Sequence, residues 1–114
     1  MFLTIDDFYN SVQKRELEQM TGGNPVVLEF AIDCAVGETA SALHGRFDVS
    51  ALLYRIEPQT ANVFAGYLPD GRFAKLVSVC VDLAIYELCK RIDPHNIAEQ
   101  RAHNMELAKE WLKA

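Results

Sequence analysis

The chain of 114 residues lacks the long apolar run that a membrane-spanning helix needs. Such a helix takes roughly 18 or more consecutive apolar residues, and the closest segment, 76–88, is shorter and contains Asp82 and Glu87. The first residues also lack the basic region and apolar stretch of a secretory signal. We therefore predict no membrane association and expect the protein to stay in the cytosol.

Cysteine is scarce and is not spaced for a disulfide framework or a zinc site. The three cysteines, Cys34, Cys80 and Cys89, are an odd number, lie within apolar runs and form no Cys-x-x-Cys pair. A buried free cysteine behaves as a small apolar side chain. We therefore predict three reduced thiols in the core.

Motifs of catalysis are missing as well. The serines lie in no Gly-x-Ser-x-Gly turn, and there is no glycine-rich phosphate loop. His103 has Glu99 and Glu106 one helical turn to either side, but this trio is more typical of a solvated face than of a metal site. Asp82 lies in a strongly apolar stretch, where burial would raise its pKa. A place in a buried polar network or on a solvent-facing line would equally explain an aspartate at this position. We predict no catalytic residue, metal or cofactor, and no enzyme.

An excess of basic residues is also absent. The chain has 11 Lys and Arg against 16 Asp and Glu, which gives a net charge of −5. Proteins that grip DNA neutralise its phosphates with basic side chains, so specific nucleic-acid binding is disfavoured. An acidic surface would instead let DNA pass without adhering.

Apolar residues at helical spacing predict a single mainly α domain over 1–114. Thr4 and the pair Asn24-Pro25 are typical helix starts, and Asp70 is the expected cap of a later helix. Gly37 costs a helix roughly 1 kcal/mol relative to alanine, which suggests a close helix crossing there. The prediction is a small bundle with short helices at about 5–12 and 14–20, long helices at about 25–44 and 72–91, and a closing helix at about 96–113.

The two long helices are apolar over most of their circumference. Segment 25–44 leaves only a narrow polar line through Glu29, Asp33, Gly37 and Ser41, whereas a surface helix normally has one apolar stripe. Two explanations remain open. Neighbours from the same chain cover these helices, or other subunits complete the burial, which we favour because a small domain hides only about two-thirds of its surface.

The segment between the long helices, 47–69, is predicted as an irregular hairpin or loop. Residues 50–56 and 62–68 favour extended structure, and a turn containing Pro58 separates them. An isolated hairpin is marginal in water. This insertion therefore either folds over its own bundle or reaches a neighbour.

Several segments carry a pattern of features that recurs in one protein family. Paired short helices open the chain at 3–8 and 15–21, and a long helix within 31–47 ends in a small, a basic and an aromatic residue. Two later helices cover 76–88 and 101–112. Together these segments resemble the small head-to-tail connector proteins of tailed bacteriophages, notably the Mu-like family. The chain departs from the family in lacking a proline soon after Phe47 and in its longer 48–67 segment.

The resemblance implies a virion protein, made in the host cytoplasm, whose subunits form a ring between the portal and the tail or its stopper. DNA would be passing cargo in its channel. The residues alone also allow a small cytosolic helical module that binds a peptide or regulator. For the ring, we predict that the inter-subunit contact is formed by Phe47, Leu53, Tyr54, Ile56, Val63, Phe64 and Tyr67.

Overall fold

The computed structural model describes residues 2–54, 66, 68 and 70–114. These residues form a mainly helical bundle and contain no β-strand. The predicted fold class is thereby confirmed. The helices are α1 (Ile5–Phe8), α2 (Lys14–Thr21), α3 (Pro25–Leu43), α4 (Ala74–Ile92) and α5 (Glu99–Lys113), with a short π-helical turn at Ser50–Tyr54.

Local sequence sets two of the helix starts as predicted. Before α1, the Asp7 carboxylate accepts a hydrogen bond from the backbone N–H of Thr4 at 2.8 Å. Before α3, the side chain of Asn24 accepts one from Val26 N–H at 3.0 Å, and Pro25 occupies the first turn. Both arrangements satisfy backbone groups that a helix terminus leaves without partners.

The predicted start of α4 is wrong. Asp70 does not cap this helix, whose first residue follows Phe73. The Asp70 carboxylate instead accepts hydrogen bonds from the backbone N–H of Arg72 at 3.1 Å and from its Nε at 2.9 Å. The aspartate therefore folds the turn before the helix, as Asx side chains commonly do.

Helix α4 lies at the centre of the bundle. It packs against α3 and α5, and both α1 and α2 also contact it. The chain itself covers its apolar residues as far as Leu88, while Ile92 at its end is exposed. The same-chain explanation therefore holds for most of this helix. The buried residues of α4 are Leu76, Val77, Val79, Cys80, Val81, Leu83, Ala84, Ile85 and Leu88.

Helix α3 runs antiparallel to α4 and is only partly covered. Thr39 lies 3.2 Å from Cys80 through their Oγ1 and Sγ atoms, while Ala31 shares a groove with Leu88. The Gly37 prediction is wrong, because a Cβ built on this glycine meets nothing within 4 Å. Among the described residues, no helix crosses closely at Gly37, which lies on the exposed side of α3.

The predicted first strand, 50–56, is wrong over Ser50–Tyr54, where the chain is helical. The carbonyl of Asp48 accepts a hydrogen bond from Leu52 N–H at 3.1 Å, and its carboxylate accepts one from Ala51 N–H at 3.2 Å. These bonds start a helical turn in place of a strand. Most of the remaining predicted hairpin, 55–65, 67 and 69, lies outside the described residues.

Two other helices are shorter than predicted. Helix α1 stops at Phe8, whose carbonyl accepts hydrogen bonds from both Ser11 and Val12 N–H groups in a tight turn. Helix α5 starts at Glu99, because Asp93 holds the preceding chain in a turn by accepting a hydrogen bond from His95 N–H. No helix within the described residues is long and apolar enough to cross a membrane.

Candidate subunit interface

Phe47 and Tyr54, two of the predicted contact residues, lie on the surface. Their side chains are 57% and 62% exposed, respectively. Leu53 is 2% exposed and packs in the core of its own chain, so it does not belong to a contact surface. Sequence pattern could not separate Leu53 from its neighbours, because the helical turn that directs it inward was not predicted. The other predicted contact residues, Ile56, Val63, Phe64 and Tyr67, lie outside the described residues.

Arg46 fixes the position of Phe47 at one end of the bundle. Its guanidinium donates hydrogen bonds to the carbonyls of Leu112 and Lys113 in the last turn of α5, and to the Ala42 carbonyl of α3 at 3.0 Å. A cation at a helix C-terminus satisfies free carbonyls and complements the helix dipole. The guanidinium also lies 5.8 Å from the centre of the Phe47 ring. Phe47 is therefore held where α3 and α5 both end.

A pair of aromatic rings lies where α5 ends and α4 begins. The rings of Phe73 and Trp111 are 6.3 Å apart between centroids, at an angle of 50°. The Nζ atom of Lys75 lies 5.9 Å from the centre of the Trp111 ring. Both aromatic side chains are partly buried, so they chiefly stabilise the packing of α4 on α5.

The structure exposes another apolar surface at the opposite end of α3. Val26 and Phe30 are 65% and 67% exposed, although they stand one helical turn apart in an otherwise well-packed helix. Phe30 also borders a groove of about 220 Å³ beside the C-terminal end of α4. We did not predict this surface as a contact. The sequence did contain a signal for this exposure, since helical spacing places Val26 and Phe30 beside the polar residues Glu29 and Asp33.

A larger groove lies between the two short helices and the start of α3. It has a volume of about 420 Å³, and Ile5, Tyr9, Leu17 and Leu28 form its apolar lining. Lys14 and Glu18 add one charge of each sign. Its shape and lining suit an apolar side chain of a peptide.

Arg72 ties the start of the chain to the turn before α4. It donates hydrogen bonds to both carboxylate oxygens of Asp7, with 3.0 Å from Nη2 to Oδ1, and to the Phe2 carbonyl at 2.9 Å. Burial alone would raise the pKa of Asp7, but the bonds from Arg72 and Thr4 outweigh burial and lower it. The contacts of Arg72 stabilise the fold, since the donors and acceptors in them are already paired within the chain.

The other titratable residues singled out in the sequence are dispersed. Burial raises the pKa of Asp82, and Lys75 and Arg101 only partly oppose this rise. His103, Glu99 and Glu106 line an exposed surface of α5. Across the described ranges, no group of three or more His, Cys, Asp or Glu side chains is placed to hold a metal ion.

The three cysteines are free thiols that differ in burial. Cys80 is buried, whereas Cys34 and Cys89 are partly buried. Burial raises the pKa of Cys80 to about 11, against the opposing effect of its hydrogen bond with Thr39. Burial likewise raises the pKa values of Cys34 and Cys89. A raised pKa lowers the thiolate fraction and hence the reactivity of the thiol.

The chain matches no protein-family model, no curated protein and no solved structure.

Proposed function

We propose that the chain is a structural subunit of a phage or prophage virion, a head-tail connector that forms a ring between portal and tail. Its work is mechanical, because the subunits hold one another and leave a channel through which DNA passes. The support is the resemblance of segments such as 43–47 and 81–88 to that family, together with a helical bundle whose helices follow the expected order.

The exposure of Phe47 and Tyr54 is the observation that carries the proposal. Both lie on the surface although the chain fills a core of its own. In a closed ring each subunit covers its neighbour through a head-to-tail interface, and large exposed aromatic residues are the usual anchors of such contacts. The net charge of −5 also suits the role, because like charge keeps DNA from adhering to a channel wall.

Ring assembly on the portal tests the proposal. We expect the chain, co-expressed with the portal protein of the genome that encodes it, to form rings visible by negative-stain electron microscopy. The double variant Phe47→Asp, Tyr54→Asp should stay helical by circular dichroism, since both side chains are exposed, but should not assemble. Leu107→Asp is the control, because it also replaces an exposed apolar side chain with a negative charge, in this case on α5.

Two results would count against this account. Unchanged rings from the double variant would reject Phe47 and Tyr54 as the inter-subunit contact. Failure of the wild-type chain to bind portal, tail or stopper proteins would show that it is not a connector.

A second candidate is a small helical module that binds a peptide or regulator. The groove of about 420 Å³ beside Tyr9 and Leu28 favours it, since apolar grooves between helices receive amphipathic segments. The neighbouring genes discriminate between the two functions. Portal, capsid and tail genes favour the connector, whereas metabolic or regulatory genes favour the module.

A further inference from the structure

The outward side of α3 carries an apolar centre near its start. Val26 and Phe30 are exposed one turn apart, while the other large apolar residues of this helix are buried or partly buried. Large apolar side chains grouped on a surface typically mark an interaction site. This centre is about 20 Å along α3 from the helix end that precedes Phe47, so it is separate from the proposed ring contact.

Charges of opposite sign flank this apolar centre on its two sides. Helical spacing places Glu29 and Asp33 along the edge of α3 that faces away from α4. On the other side, the groove bordered by Phe30 is lined by Lys90, Arg91 and Glu87 of α4, two bases and one acid. We call this whole surface, from the acidic edge to the basic edge, the α3 face.

Three of these charges have no counter-ion among the described residues. Lys90 pairs with Glu87 at 3.2 Å. For Glu29, Asp33 and Arg91, no ion-pair partner occurs in the part of the chain that the structure describes, and all three are exposed. The α3 face therefore presents an unpaired base on one edge and unpaired acids on the other.

Such a face is complementary to itself. A two-fold axis that runs along the line from Val26 to Phe30 brings the acidic edge of one copy over the basic edge of the other. It also brings the apolar centres together, as an isologous interface requires. An acidic peptide would be attracted to Arg91 but repelled by Glu29, and a basic peptide would be attracted to Glu29 but repelled by Arg91. A second copy of the chain therefore fits the charges of this face better than either peptide.

We infer that the α3 face binds the α3 face of a second copy of this chain in a two-fold dimer, with Glu29 of each copy paired with Arg91 of the other. The dimer does not depend on the proposed function. Phe30 of each copy packs on Phe30 of the other at the centre. The apolar contact supplies most of the affinity, and the charge pairs set the register.

Charge reversal in the purified chain tests this dimer. Sedimentation equilibrium should show a dimer for the wild type, and either Glu29→Arg or Arg91→Glu should weaken association by at least about tenfold, because each places like charges together twice. The double variant Glu29→Arg, Arg91→Glu should restore the affinity. That recovery distinguishes a specific pair from a general effect of charge.

Two further variants separate the α3 face from the rest of the surface. Phe30→Asp should give a monomer, whereas Leu107→Asp and the double variant Phe47→Asp, Tyr54→Asp should remain dimeric. All these side chains are exposed, so circular dichroism and thermal melting should confirm that each variant is folded. A dimer that survives Phe30→Asp would overturn the inference.

The association of the wild type and of the double variant Glu29→Arg, Arg91→Glu gives the remaining decisive results. A wild-type chain that stays monomeric up to its solubility limit would overturn the inference, as would a charge-swapped double variant no tighter than its single variants. Neither result bears on ring assembly, which is measured on the portal and with changes at Phe47 and Tyr54.

Discussion

Arg72 shows how much one side chain holds together in this protein. Its guanidinium joins Asp7, 65 residues earlier in the chain, to Asp70 in the turn before α4. The sequence could not reveal this contact, because nothing in the local pattern around either residue indicates a partner so distant. The side chains of Arg72 and Asp7 are only 12% and 10% exposed, so solvent screens their attraction little.

Replacing Arg72 should destabilise the fold. Arg72→Ala leaves the Asp7 carboxylate partly buried without its main donor, which should lower the free energy of unfolding by about 2–3 kcal/mol in urea denaturation. The difference in unfolding free energy between wild type and Arg72→Ala should become smaller below about pH 4. The pKa of Asp7 is lowered in the folded wild type, so the stability that ionised Asp7 contributes is lost as the Asp7 carboxylate is protonated.

Arg15→Ala is the control for this experiment. Arg15 is exposed on α2, and its removal should change stability by less than about 0.5 kcal/mol. An Arg72→Ala protein as stable as the Arg15→Ala protein would contradict the role given to Arg72.

Asp82 should have the opposite effect on stability. Burial raises its pKa, so at neutral pH the charged form is less favourable in the folded state than in the unfolded state. Asp82→Asn should therefore stabilise the protein at pH 7, by up to about 1 kcal/mol, given that Asp82 is only partly buried. The gain should vanish below about pH 4, where Asp82 is protonated in both states, as measured by thermal melting across pH. A loss of stability at pH 7 would contradict this account.

At the scale of the elements, the starts of α1 and α3 were predictable, whereas the start of α4 was not. Thr4 with Asp7, and Asn24 with Pro25, specify their helices through contacts within a few residues, so the sequence contains the whole signal. The turn at Ser50–Tyr54 has a local start at Asp48, but it also buries Leu53 against distant helices. Such tertiary burial overrides the strand preference of these residues. For the same reason, the exposure of Phe47 and Tyr54 could not be separated from the burial of Leu53.

Gly37 lowers the stability of α3, and its replacement by alanine should stabilise the helix. It lies within the helix on the exposed side, and a Cβ there meets nothing within 4 Å. Gly37→Ala should raise the free energy of unfolding by up to about 1 kcal/mol, because alanine favours the helix and restricts the unfolded chain. Urea denaturation measures the change. Gly22→Ala is the contrasting variant and should destabilise, since Gly22 has a φ of +65° that alanine rarely adopts. Equal responses at the two glycines would contradict this reasoning.

At the scale of the whole molecule, the two long helices differ in how the chain covers them. Both are apolar over most of their circumference in sequence, but the chain encloses α4 except at its end, where Ile92 is exposed, whereas α3 keeps Val26 and Phe30 exposed. Composition alone could not distinguish these outcomes, because the difference depends on which helix takes the central position. The prediction that other subunits complete the burial of apolar surface therefore now applies to α3 and to the surface around Phe47.

The enclosed core makes Cys80 a reporter of global unfolding. Cys80 is fully buried with a pKa of about 11, so a thiol reagent should reach it only when the bundle opens. In a Cys34→Ser, Cys89→Ser variant, native protein should label at least about a thousandfold more slowly than urea-unfolded protein. A Cys80→Ala, Cys89→Ser variant, which keeps only the partly buried Cys34, is the comparison and should label much faster. Equal rates for the two native variants would refute the placement of Cys80.

The contact between Arg72 and Asp7 also bears on how the protein folds as the ribosome makes it. Phe2, Leu3 and Phe8 are buried in the finished molecule, yet α4, which contacts α1, is synthesised about 70 residues later. At about 5–20 residues per second, the nascent N-terminal segment stays uncovered for several seconds. During that interval its apolar side chains are open to chaperones that act on emerging polypeptides.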